Sequence, residues 1–383
     1  MGGLQLFLVM LLMMTGTRKI LIEAAPADGE KFTVRFLHTN DMHSRFEETS
    51  RESSICNDRA SELGKCYGGF ARIATLIREA RQQGEINDLP TFFLNAGDTY
   101  QGSDLFTTYK WKIVARFLNI LQPDVVSLGN HEFDNKVSGL VPFLQNIDFP
   151  VVAANLDLRE EPELQRATKL TKSFILSAKG RKIGVVGYLT PDTVYLSQTG
   201  KVRFIDEVVA IRAEAEVLQK QGCDIIVALG HSGFETDKRI AREVELVDLV
   251  IGGHTNTFLF TGKAPDIENI EGLYPTEVKQ SSGRIAYVVQ AYAYTKYLGD
   301  LLVDFDSKGE IVGIRGSPKL VDSSVPMDEN VKNELESWMQ PLGYTKRVIG
   351  STKVMLQGSE KICRLQECNM GNLLTDAMVY HVS

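Results

Sequence analysis

At 32–37 apolar and polar residues alternate, with aromatic and β-branched types in the apolar positions, and the polar run His38-Thr39-Asn40-Asp41-Met42-His43 follows. Two-residue periodicity running into a polar cluster predicts a strand that empties into a loop. The same grammar recurs four times: 91–94 into Asn95-Ala96-Gly97-Asp98, 125–128 into Gly129-Asn130-His131, 225–229 into Gly230-His231, and 249–251 into Gly252-Gly253-His254. Helix-compatible stretches at 69–83, 105–121 and 206–221 lie between these strands, and strands alternating with helices predict an α/β sandwich. In such folds ligands bind where loops leave the carboxyl ends of strands, which is where each polar cluster falls.

Apolar alternation resumes at 285–290 and 298–305, so the first domain is expected to occupy 30–322. Residues 323–345 then read as a connector, with Pro326 and two serines before an exposed helix over 328–339. A strand-like segment at 347–355 opens the start of a second α/β domain, 346–383, which stops within an amphipathic pattern beginning near Asn369. That domain is expected to be truncated.

Composition changes this picture little, with 43% hydrophobic and 24% charged residues marking an ordinary globular chain. A net charge of -7 excludes a protein built to bind phosphate backbones, which needs clustered Lys and Arg, so no nucleic-acid partner is expected. Residues 4–14 form an apolar run too short to span a bilayer, and Ala24, Ala25 and Ala27 follow it; 1–27 therefore reads as a signal peptide, and the protein as secreted. Export would place the five cysteines in an oxidising compartment. Cys56 and Cys66 bracket a polar loop, Cys363 and Cys368 bracket another short segment, and each set is paired locally, leaving Cys223 for core packing.

The chain has six histidines, and four of them, His43, His131, His231 and His254, follow a strand beside Asp, Asn or Gly. Asp41-Met42-His43 is expected to put a carboxylate and an imidazole on one side of an extended segment, which suits a metal ion. Asp98 can bridge two cations, and a pair roughly 3.5 to 4 Å apart can clamp a phosphoryl group and activate water. Asn130 offers an amide oxygen, and His231, His254 and Asn256 complete the nitrogen and oxygen ligands for two ions. Such mixed sites suit zinc, manganese or iron over magnesium. His131 is left to face the phosphate, held in one tautomer by Asp134, which also favours its protonated form. Motifs for dinucleotide binding, P-loop phosphate cradling, serine hydrolysis and zinc fingers are absent.

In order, Asp41-x-His43, Gly97-Asp98, Gly129-Asn130-His131-Glu132, Gly230-His231 and Gly253-His254 resemble the metallophosphoesterase superfamily. Asn40-Asp41-Met42-His43-Ser44-Arg45, Asn130-His131-Glu132-Phe133-Asp134, Gly253-His254-Thr255-Asn256-Thr257 and the segment from Cys363-Arg364 to Asn372-Leu373 look more narrowly like the ecto-5'-nucleotidase family, which includes secreted apyrases. The resemblance implies a metallophosphoesterase-type α/β/β/α sandwich and two divalent metal ions, zinc first. One ion would sit on Asp41, His43, Asp98 and Asn256, and the other on Asp98, Asn130, His231 and His254. It implies His131 and Asp134 as the catalytic pair and Arg364 as a substrate contact, with Asn130 and His131 also meeting the substrate. The expected substrate is a nucleotide. AMP is taken first, with an ATP- and ADP-hydrolysing apyrase as the alternative and a non-catalytic secreted nucleotide binder as a rival of another class. A cyclic-nucleotide phosphodiesterase would use the same metals. Any lipid anchor would be encoded after Ser383, so anchoring and oligomeric state stay open.

Overall fold

The computed structural model describes residues 31–342, 350–358 and 360–382. The proposed signal peptide lies outside them. The chain divides into two compact units between Glu336 and Ser337.

In the first unit two sheets face each other. One has seven strands in the order Ile311–Leu320, Tyr297–Phe305, Phe32–Thr39, Thr91–Asn95, Val125–Ser127, Val151–Val152 and Leu170–Thr171, parallel from Phe32–Thr39 onward. The other has six in the order Thr276–Lys279, Ile285–Val289, Leu249–Ile251, Ile225–His231, Arg181–Leu189 and Ser173–Ala178, with a parallel centre and antiparallel edges. Phe36, Leu94, Val125 and Val152 from the first sheet share a core with Val185, Val227, Ile251 and Val289 from the second. The alternate residues Ile226, Ala228 and Val250 face the other way, onto the helices Glu207–Lys220 and Phe234–Glu243. Both faces of these strands are therefore buried, as expected of parallel strands covered on two sides. At about 1.5–3 kcal/mol for each fully buried Val, Leu or Ile, this double burial fixes the register of the strand ends on which the polar residues sit.

The outer helices follow from local signals. Phe70, Ile73, Ala74 and Ile77 bury one stripe of Phe70–Ile86. The helix Glu207–Lys220 starts where Asp206 accepts from Val209 N at 3.1 Å. Residues 105–121, expected as one helix, form two, Asp104–Tyr109 and Trp111–Leu121. The break is at Lys110, whose φ of +55° ends the first ladder. Buried Leu105, Phe106, Ile113, Val114 and Phe117 keep a common inner face across the break, so periodicity could not reveal it.

The helix expected over 328–339 forms as Glu329–Met339, with Asp328 accepting from Asn330 N and Val331 N; it buries Val331 and Leu335, although an exposed helix was expected. In the second unit Asn369–Val382 is helical. Of the strand expected at 347–355, residues 347–349 lie outside the described residues and 350–355 form no strand. Among the described residues of this unit there is no second strand to take up its backbone hydrogen bonds. Disulfides join Cys56 to Cys66 and Cys363 to Cys368, and Cys223 is buried and unbonded. Among the described residues no helix is long and apolar enough to cross a membrane.

Candidate active site

Loops from the carboxyl ends of both sheets meet at one buried cluster. The segment after Phe32–Thr39 is laid directly on the segment after Thr91–Asn95: Asp41 N donates to Gly97 O at 3.0 Å, His43 N to Asp98 O at 2.9 Å and Ser44 N to Thr99 O at 2.8 Å. The extended segment expected at Asp41-Met42-His43 is not what forms. Asp41, His43 and Ser44 have φ of +50°, +45° and +51°, because this backbone coils to give its N–H groups to the neighbouring loop. Coiling still brings the side chains together, with His43 Nε2 at 3.7 Å from Asp41 Oδ1, while Met42 turns into the core.

Asp98 is at the centre. Its Oδ1 accepts from His131 N at 2.9 Å, and its Oδ2 lies 2.8 Å from His231 Nε2 and 4.0 Å from His43 Nε2. His231 ends its strand fully buried, and its Nδ1 donates to Ala96 O at 2.7 Å. A carbonyl only accepts, so the proton is on Nδ1 and Nε2 is directed at the carboxylates, the arrangement of a metal-binding histidine. His254 and Asn256 follow Leu249–Ile251 in left-handed backbone, φ +84° and +52°, and His254 N donates to Asp41 Oδ2 at 2.9 Å. The His231 and His254 rings are 5.2 Å apart. His131 Nδ1 donates to Asp134 Oδ2 at 2.7 Å. Arg364 is in the second unit, between the bonded Cys363 and Cys368.

Two sets of ligand atoms lie within 4.8 Å of one another: His43, Asp98 and His131, and Asp98, His231 and His254. Asp98 belongs to both. A metal fits for a further reason. Asp41 Oδ1, Asn130 Oδ1 and Asn256 Oδ1 are all buried without a hydrogen-bond partner. An unmet buried polar atom costs about 1–3 kcal/mol, and three in one cluster is a cost that cations would offset.

A model of the calcineurin-like phosphoesterase family matches residues 34–258, the greater part of the chain and the whole of this cluster. The chain belongs to that family. It is 47% identical over 363 residues to Protein 5NUC of Lutzomyia longipalpis, covering 94% of this chain and 63% of that one. It is 46% identical over 346 residues to the 5'-nucleotidase of Mus musculus, covering 90% and 59%. The crystal structure of a 5'-nucleotidase precursor from Thermus thermophilus superposes with a TM-score of 0.82 at 33% identity, covering 91% of this chain and 67% of that one. The chain thus spans about three-fifths of the length of these curated relatives.

The electrostatics of this cluster follow largely from its carboxylates. Burial would lower the His231 pKa, but Asp98 and Asp41 outweigh it and push it up to about 10. Burial acts the same way on His131, where the hydrogen bond to Asp134 and the charge of Asp98 push it up to about 9. His254 is lowered by burial and by the neighbouring His231. The carboxylates therefore favour the protonated forms of His231 and His131.

Three supports went unassigned in the sequence. Glu132, next to His131, accepts backbone N–H bonds from Asp98, Thr99, Tyr100 and Gly129 and so clamps two ligand loops together. Asn40 Nδ2 donates to Asp41 Oδ2 at 2.8 Å, while its Oδ1 accepts from Ala291 N at 2.9 Å. Fully buried Asp237 accepts from Tyr188 Oη at 2.7 Å and from Gln290 Nε2 at 2.6 Å; Gln290 also holds Gly253 O and Thr257 N on either side of His254 and Asn256. A carboxylate inside a ligand motif was the available signal for Glu132. Nothing periodic marks Asn40 or Asp237.

Proposed function

We propose that this chain carries the catalytic centre of an extracellular nucleotide phosphohydrolase that uses two divalent metals and releases phosphate from a nucleoside 5'-monophosphate such as AMP. The observation that supports it most is the cluster of three unpartnered oxygen atoms, with His231 and His254, around the shared carboxylate of Asp98. Asp41, His43, Asp98 and Asn256 would hold one ion, and Asp98, Asn130, His231 and His254 the other. The mixed nitrogen and oxygen donors favour zinc. Such ions supply Lewis-acid charge to a phosphoryl oxygen and make water more acidic.

His131 takes its part through the ring nitrogen not used by Asp134. With Nδ1–H fixed on the carboxylate, Nε2 keeps one direction, and the imidazolium balances phosphoryl charge or protonates the leaving oxygen. Its ring is 5.2 Å from that of His43, so it borders the metal ligands while also lying within ligand range of Asp98. We assign it to the phosphate because its other nitrogen is already oriented by Asp134, whereas the seven proposed ligands suffice for two ions. Arg364 is assigned as a substrate contact on the family resemblance alone. The relatives named 5'-nucleotidase support the substrate class, and the two disulfides favour an extracellular setting.

The test is phosphate release from AMP, ADP and ATP by the full-length polypeptide, with chelator, with zinc restored, and with His131→Ala. Release chiefly from AMP, abolished by chelator and by the substitution, is expected. Release from ATP and ADP that halts at AMP would make it an apyrase, and nucleotide binding without turnover would leave a non-catalytic binder.

A further inference from the structure

The carboxylate of Asp134 has two oxygens, and the His131 ring occupies only Oδ2. The other, Oδ1, accepts a hydrogen bond from Ser197 Oγ at 2.7 Å. A carboxylate cannot donate, so the serine proton is directed at it. We propose that Ser197 is a positioning residue, the outer member of a hydrogen-bonded series Ser197, Asp134, His131 that fixes the direction of His131 Nε2; this rests on the role proposed above for His131.

The need for such a residue comes from exposure. The side chains of His131 and Asp134 are 32% and 22% exposed, so water competes for both partners. A carboxylate held through one oxygen can swing about its Cβ–Cγ bond, and the imidazole follows. A bond to the second oxygen removes that freedom. Hydrogen bonds to a charged acceptor are also stronger than neutral ones.

The segment bearing Ser197 is itself anchored at both ends. Thr190 N donates to His231 O at 2.9 Å, and Thr193 Oγ1 to Thr190 O at 2.7 Å. At its far end Ser197 N donates to Thr193 O at 3.0 Å, and Gln198 Nε2 reaches Asp134 O at 3.4 Å. Segment 190–198 therefore runs from the backbone of a proposed metal ligand on the second sheet to the histidine's partner beyond the first. It joins the two halves of the site without contributing a ligand. A serine placed only to finish the short helix Thr193–Leu196 would need its backbone N–H alone, and its hydroxyl would be free for solvent.

The experiment compares Ser197→Ala, Ser197→Thr, Asp134→Ala and the Asp134→Ala/Ser197→Ala double variant in the zinc-loaded full-length polypeptide. Ser197→Ala is expected to lower kcat for phosphate release from AMP about tenfold, the scale of one lost hydrogen bond to a charged group, with KM within about twofold. Ser197→Thr, which keeps the hydroxyl, should retain most of kcat. In the Asp134→Ala background Ser197→Ala should cost nothing more. Equal losses in both backgrounds, or an unchanged kcat, would overturn the proposal. A second readout is independent of turnover: the downfield ring N–H proton resonance that vanishes in His131→Ala should persist in wild type and Ser197→Thr and be lost to solvent exchange in Ser197→Ala. A sharp, unshifted resonance in Ser197→Ala would overturn the proposal even if AMP is not the substrate, whereas wild-type inertness toward every nucleotide would count against the function alone.

Discussion

Asp98 Oδ2 lies 2.8 Å from His231 Nε2 while the opposite nitrogen of that ring is held by Ala96 O, so the carboxylate and the imidazole aim at the same point from different sheets. Neither sheet alone builds the site. The register of both, set by the shared apolar core, is what brings Asp98 to His231.

Asp98→Asn should reduce metal content more than any other single ligand change, because the carboxylate is within reach of both ligand sets. Metal analysis of dialysed protein is expected to find fewer than two zinc ions per chain, with phosphate release lost in parallel. Full metal content would remove Asp98 from its proposed bridging role.

Glu132→Gln replaces an acceptor of four backbone N–H groups with one that turns an NH2 toward some of them. A loss of about 3 kcal/mol or more is expected, since buried donors are left facing a donor. Urea unfolding measures it, and a change below about 1 kcal/mol would mean that the loops hold each other without the clamp.

Gly129→Ala would put a methyl group 2.1 Å from Asp98 Oδ1 and 2.4 Å from Asp98 N. The backbone at Gly129 is extended, with φ of -109°, so the effect is steric alone. Zinc affinity, read by competition with a chromophoric chelator, should fall on the order of 10–100-fold. Gly350→Ala, where the added methyl meets nothing within 4 Å, should leave it unchanged.

Asp248, away from the site, gives a pH dependence. Burial raises its pKa to about 7, outweighing the hydrogen bond from Ile226 N at 2.8 Å and Arg284 at 2.6 Å. Its folded pKa lies above the unfolded value of about 3.9, so the stability it contributes is complete below pH ~4 and is lost as pH rises toward about 7. Asp248→Asn cannot titrate. The melting temperature of wild type minus that of the variant should therefore decline between pH 4 and 7, and a constant difference would refute the assignment.

The strands bearing Asp98, His231 and His254 were legible because a buried strand writes an uninterrupted apolar run, and the polar residues after it stand out. The α/β sandwich followed from the alternation of such runs with helices, and its α/β/β/α layering from the family resemblance. What stayed hidden depends on contacts between segments distant in sequence. Glu132 acquires its role only when the segment after Thr91–Asn95 folds over it, and Asp237 acts through Gln290, 53 residues away. The break at Lys110 was hidden because buried faces continue across it. The coiled backbone at Asp41 and His43 was misjudged because local spacing cannot register the pull of a neighbouring loop's carbonyl groups.

The left-handed backbone at Asp41, His43, Asp98, His254 and Asn256 has a consequence for how this site can change over evolutionary time. Asp, Asn and His are the residue types, after glycine, that best tolerate that region. They are also the types that bind metal. At these five positions, if they are the ligands proposed above, selection for donor chemistry and selection for chain shape admit nearly the same short alphabet, and Glu, an equal donor on paper, fits it less well. Drift between metals is open to such a site by exchange among Asp, Asn and His, while drift by lengthening a side chain is closed.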